Sequence, residues 1–187
     1  MCSSISMVTQ PDELIAVRTL FKLARQDLKR ENVDLPERLP LGAMIEVPAA
    51  AINVRALLEH ADFLAIGTND LAQYVLASDR GNDALENIYN PLQPALLRLI
   101  SYVLGAGRRA KKPVSLCGEI AGDVNFTALL LLLGLNEFSM HPAQILQVRD
   151  RLASLDHANL RRHAPRILRA HTHEQAEALL NDIVANS

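Results

Sequence analysis

Short apolar runs recur along this chain, and each gives way to a longer stretch with helical spacing. That alternation is the strongest constraint on the fold. Strands separated by helices cannot pair through tight hairpins, so they line up in parallel in one sheet with helices packed against it. Strands are expected at 5–8, 42–47, 62–67, 113–117 and 136–140, and helices at 11–30, 49–60, 68–78, 95–110 and 125–133. Pro48 holds Val47 extended and suits a first helical turn, so the second strand ends there. Thr68, Asn69 and Asp70 are residue types that cap helices. A Pro-bounded link occupies 32–40, and a loop rich in Asp, Gly, Asn and Pro occupies 79–94. Pro142 starts another helix, and from Asp150 onward the chain reads as helices with no further strand. An eight-fold barrel typically needs about 250 residues, and only five strands are expected here. An open α/β sheet and the later part of a barrel both fit this periodicity.

The chain has 187 residues and is 49% hydrophobic, enough for a single domain over 1–187 with a real core. A formal charge of −2 and the lack of Trp argue against a nucleic-acid surface. The greasiest stretch, 128–135, is too short to cross a bilayer. The start of the sequence has neither a charged n-region nor an apolar h-region. Two cysteines, Cys2 and Cys117, make no disulfide framework in a chain this long. No membrane insertion and a cytoplasmic location are therefore expected.

Position matters more than residue type for the polar groups. Glu46, the Asn69–Asp70 pair, Cys117 to Glu119, and Ser139 to His141 all fall at or just past the carboxyl end of an expected strand. Ligands bind at that rim in parallel α/β folds. Glu46 and Asp70 form a natural pair for a hard cation, since Mg²⁺ takes one or two carboxylates and fills its other positions with phosphate and water. Both residues would equally serve as acidic groups at helix starts. Asn69 suits a cap or a ligand contact. Arg80 offers a planar fork for a carboxylate or phosphate, or is a solvated surface arginine. A Cys ending an apolar strand is usually a small buried hydrophobe, and only its neighbours raise a chemical role. The Arg and His cluster over 149–173 reads as a solvated helical face, and the leucines at 129–133 as a buried helix or an oligomer contact.

The segments MIEVPAAA (44–51), DFLAIGTNDLAQYVLASDRGND (62–83), PVSLCGEIAGD (113–123) and LGLNEFSM (133–140) resemble the phosphoenolpyruvate-utilising enzymes. The match covers roughly 41–150, with 151–187 as carboxyl-terminal helices, and MVTQPDEL (7–14) resembles the family more weakly. DRGND and the following YNPLQPALLRLI are most similar to Enzyme I, the phosphoenolpyruvate–protein phosphotransferase of the bacterial phosphotransfer system. PVSLCGEIAGD is also similar to its nitrogen-related paralogue.

The resemblance implies the later part, about strands 4–8, of a (βα)8 barrel that binds phosphoenolpyruvate and Mg²⁺. It implies an enzyme that moves the phosphoryl group to a protein histidine and releases pyruvate, with a histidine-containing phosphocarrier protein as partner and a homodimer as assembly. Glu46 and Asp70 match the metal ligands, Asn69 and Asp70 the substrate contacts, Arg80 a substrate arginine, and Cys117 the proton donor. On this reading the earlier strands, their arginines and the phosphorylated histidine lie upstream of this chain, which alone is expected to be inactive. Ala72 stands where a threonine is usual, and His141-Pro142-Ala143-Gln144 replaces a small, Ser-rich turn. A dikinase or synthase barrel, or a non-catalytic dimerisation or regulatory module, are the alternatives.

Overall fold

The computed structural model describes residues 3–78 and 90–185. Five strands, β1 (Ser3–Ile5), β2 (Leu41–Ile45), β3 (Phe63–Gly67), β4 (Val114–Cys117) and β5 (Glu137–Phe138), form one sheet. All neighbours pair in parallel, and their order across the sheet is their order along the chain. Crossovers between parallel strands are nearly always right-handed. With no reversal of strand order, such crossovers place every helix on the same side of the sheet. A doubly wound sheet, which needs a reversal, is thereby set aside.

The register shows which residues share each face. Ala43, Leu64 and Val114 lie in one row, and Ile45, Ile66, Leu116 and Phe138 in the next row on the same side. This face lies under the helices, and of these seven residues only Phe138 is not buried. The opposite face carries Met44, Ala65, Ser115 and Glu137 in register, with Phe63 beside Gly42. Of that set only Gly42 and Ala65 are buried.

The helical layer follows from sequence signals. Helix α1 (Pro11–Arg30) opens on Pro11, whose missing N–H costs nothing at a first turn, and Glu13 accepts from the Thr9 N–H and hydroxyl at 2.8 Å each. The helix expected at 49–60 divides into α2 (Pro48–Ile52) and α3 (Val54–His60), because Asn53 departs from helical geometry with ψ 17°. Helix α4 (Thr68–Leu76) follows β3, and α5 (Pro94–Ala110) precedes β4. A short α6 (Glu119–Gly122) and then α7 (Val124–Leu133) follow β4. The apolar run of α7 is buried on all sides, because α8 (Ile145–Ala153) and α9 (His157–Arg162) pack over the flank turned away from the sheet. It is core, with no apolar face left for an oligomer contact. Beyond these lie α10 (Ala164–Leu168) and α11 (His173–Ala185). Arg98 of α5 holds this end of the chain by donating to Leu168 O at 2.9 Å and Ala170 O at 2.7 Å. The 149–173 arginines are largely exposed, as expected.

The amino end of the sheet is clamped by charge. Asp62 accepts from the Leu41 N–H at 2.9 Å and from the guanidinium groups of Arg18 and Arg38 at 2.8 Å each. Burial opposes ionisation there, but these donors prevail and hold the carboxyl down at about 2. Arg18 also reaches His60 O, and the Lys112 ammonium reaches Ala61 O at 2.7 Å and Leu58 O. The last carbonyls of α3 are thus satisfied by cations. No helix among the described residues is long and apolar enough to cross a membrane.

Candidate ligand site at the carboxyl rim

The register of β2, β3 and β4 fixes the site. Ile45 pairs with Ile66 and Gly67 with Cys117, so the next row along contains Glu46, Gly67 and Cys117 on the open face. Gly67 separates the carboxylate from the thiol without a side chain of its own. A Cβ there would lie 2.7 Å from Glu46 Cγ and 3.0 Å from its Oε1, so the glycine is the space in which Glu46 lies. Glu46 is 7% exposed, and its Oε2 accepts from the Met7 N–H at 2.8 Å.

Thr68, Asn69 and Asp70 occupy the first turn of α4 and do not cap it; the N-cap is Gly67. The side-chain bonds of Thr68 and Asn69 run across the rim. The Thr68 hydroxyl donates to Cys117 O at 2.9 Å, and Asn69 Oδ1 accepts from the Glu119 N–H at 3.3 Å. The competing partners on β4 and α6 win these side chains from their own helix ends. Gly118, with φ 111°, is the hinge that permits this, because a Cβ there would sit 2.3 Å from Thr68 Oγ1. Asp70 is in the first turn of α4, where a carboxylate faces the positive helix end.

The Cys117 thiol is half-buried and donates weakly to Ile66 O at 3.5 Å. Burial pushes its pKa up and the charge of Glu46 pushes it further; the opposing pull of its own backbone N–H comes next, ahead of a smaller upward push from Asp70. Near neutral pH it is therefore a protonated thiol, unsuited to nucleophilic attack.

Among the described residues no group of three His, Cys, Asp or Glu gathers that could hold a metal alone. Mg²⁺ commonly takes one or two carboxylates and completes its shell with substrate oxygens and water, and Glu46 and Asp70 are carboxylates at this rim. Arg80 lies outside the described residues. At β5, Ser139 N donates to Leu116 O at 2.9 Å, and His141 caps a 3₁₀ turn (Pro142–Gln144) by accepting from Ala143 N at 3.3 Å. The Gln144 amide lies against Gly122 of α6, so the His141–Gln144 segment adds a packed corner to the rim. Sequence reasoning missed Met7 and Gly67 and read Thr68 only as a helix cap; the position of Gly67 at a strand end, level with Glu46 and Cys117, is a signal for the glycine alone.

Beside β5 the rim carries a cavity of about 430 Å³ lined by Phe138, Ser139, Met140 and Ile145. A groove of about 390 Å³ between α1 and the link before β2, lined by Phe21, Leu28, Leu35 and Leu39, lies by the clamped amino end.

A parallel sheet in chain order with its helices, and a carboxylate and a protonated thiol on its carboxyl rim, defines an α/β protein with a candidate ligand site. The model of the PEP-utilising enzyme, PEP-binding domain matches residues 4–157, and the chain belongs to that family. Proteins named phosphoenolpyruvate-protein phosphotransferase are close in sequence. That of Cupriavidus necator is 39% identical over 182 residues, covering 96% of this chain and 30% of its own length. That of Streptococcus equinus is 40% identical over 162 residues, covering 87% and 28%. The chain thus spans about 30% of the length of these curated relatives. Among solved structures, a citrate lyase from Burkholderia xenovorans LB400 superposes with a TM-score of 0.57 over 98% of this chain and 63% of its own. At 16% identity that likeness concerns the fold alone.

Proposed function

We propose that the chain is the phosphoenolpyruvate-binding part of a phosphotransferase that passes the phosphoryl group of phosphoenolpyruvate to a protein histidine. In this reading β1 to β5 are about strands 4–8 of a (βα)8 barrel, and the open face of the sheet looks into its lumen. The rest of the barrel and the phosphohistidine domain belong to a longer protein. A histidine-containing phosphocarrier protein receives the group next, in the cytoplasm. The observation that carries the reading is the single row of Glu46, Gly67 and Cys117 on the rim, within a family that binds this substrate.

Glu46 and Asp70 would hold Mg²⁺, which when bound offsets charge on the phosphate and carboxylate of the substrate. Asn69, fixed by its bond to the Glu119 N–H, and Asp70 position the substrate, with Arg80 as a further grip. When the bond between phosphorus and the enol oxygen breaks, the phosphoryl group goes to a histidine nitrogen and the electron pair stays on the enolate. The enolate methylene carbon then takes the proton of the Cys117 thiol, which yields pyruvate and a thiolate that regains its proton from water. The raised pKa of Cys117 supports this role, because the thiol keeps its proton until the enolate forms.

Calorimetric titration of phosphoenolpyruvate into the chain, with and without Mg²⁺, tests the reading. Binding that requires Mg²⁺ and disappears in Glu46→Ala is expected. Equal binding without the cation, or unchanged binding by the variant, would refute the metal assignment. Phosphotransfer to a carrier protein by these 187 residues alone would refute the partial-barrel reading.

A further inference from the structure

Glu46 is held from two sides by groups that carry no functional side chain. On the β1 side, Met7 has left the strand and turned into the left-handed region, with φ 54°. Non-glycine residues take that conformation infrequently; of the others here, Ala77 and Lys111 cap helices and Asn32 follows the end of one, whereas Met7 follows a strand. Its side chain is 45% exposed, so packing of the thioether does not explain the turn. What the turn achieves is to point the backbone N–H at Glu46 Oε2, 2.8 Å away. On the β3 side, Gly67 leaves a notch against which Glu46 Cγ and Oε1 rest. With Oε2 engaged by Met7, Oε1 is the oxygen on the side of β3, toward the row that ends in Cys117.

We propose that Met7 and Gly67 are positioning residues that fix the rotamer of Glu46, so that Oε1 is presented to a bound divalent cation while Oε2 stays on the protein backbone. This rests on the reading of Glu46 as a cation ligand. The left-handed turn at Met7 is the conformational cost of that placement, and the missing side chain at 67 is its steric condition. The two act from opposite flanks on one carboxylate. Disturbing either therefore swings Oε1 away without removing any candidate ligand.

The test separates the positioning from the cation. First, a thermal double-mutant cycle combines Gly67→Ala with Glu46→Ala. An added methyl at 67 meets Glu46 and nothing nearer. Gly67→Ala should therefore lower Tm by about 3 °C or more in the unsubstituted chain and by about 1 °C or less when residue 46 is alanine. Equal losses in both backgrounds would overturn the notch. Second, Mn²⁺ binding is followed by its electron paramagnetic resonance signal. Gly67→Ala and Met7→Val, which disfavours the left-handed turn, should each weaken binding about tenfold or more. Met7→Gly keeps the N–H and tolerates the turn, so it should retain the affinity. A residue that acted through side-chain packing would lose as much with glycine as with valine, and that result would overturn the role of Met7. Unchanged Mn²⁺ affinity in Gly67→Ala, alongside a coupled thermal cycle, would also overturn the proposal. If the unsubstituted chain binds no Mn²⁺, the cation reading fails, and the cycle still decides whether the notch sets Glu46.

Discussion

Cys117 shows how little of a residue's role lies in its type. A cysteine at the end of an apolar strand is ordinarily packing, and this one is indeed half-buried against Ile66 O. Burial and the charges of Glu46 and Asp70 keep its proton in place, and the proposed role as proton donor draws on that. In a complete relative of this chain, Cys117→Ala should bind phosphoenolpyruvate and Mg²⁺ nearly as before while kcat falls about 10²- to 10⁴-fold. Simple packing would instead cost about 1 kcal/mol of stability and leave turnover per folded molecule intact. Turnover and Tm measured on the same variant distinguish these. The rim residues were legible because motif and strand end coincide at Glu46, Asn69, Asp70 and Cys117. The contribution of Met7 was not. Its side chain does nothing there, and its partner Glu46 is 39 positions away in the sequence.

At the scale of elements, proline and glycine punctuation carried most of what could be read. Pro11, Pro48 and Pro94 each open a helix, and the end of α1 at Arg30 falls where the periodicity stops. The first strand is displaced, Ser3–Ile5 in place of 5–8, because Met7 is drawn out of extended geometry toward Glu46. Hydropathy has no access to that pull. The break at Asn53 is likewise invisible to a pattern in which every flanking residue suits a helix. Asp62 joins three elements, since Arg18 lies on α1, Leu41 opens β2, and Asp62 itself leads into β3. Its carboxyl is depressed in the folded state, so it binds protons less readily there than in the unfolded chain. The stabilisation is present above the ordinary carboxylate pKa of about 4 and is lost as the pH falls toward about 2. Asp62→Asn should lower stability by about 1–2 kcal/mol at neutral pH. Denaturant unfolding at pH 7, 4 and 2.5 checks this, and the difference between variant and parent should shrink at the lowest pH.

For the whole molecule, the sheet has two edge strands, β1 and β5, and an open face whose residues are only partly covered. Edges and apolar faces of this kind invite pairing with another chain. Dimers or larger species are expected by light scattering, and a monodisperse, cooperatively melting monomer would count against a partial barrel. The identity of strand order and chain order also bears on how the molecule comes into being. Each strand's partner is the one synthesised immediately before it, so no strand waits for a distant sequence to emerge. The entropy of closing a connection grows only slowly with its length, so pairing each strand with its predecessor keeps every closure as short as a parallel sheet allows. The arc can therefore grow during translation by docking one strand and its helix at a time onto a finished edge.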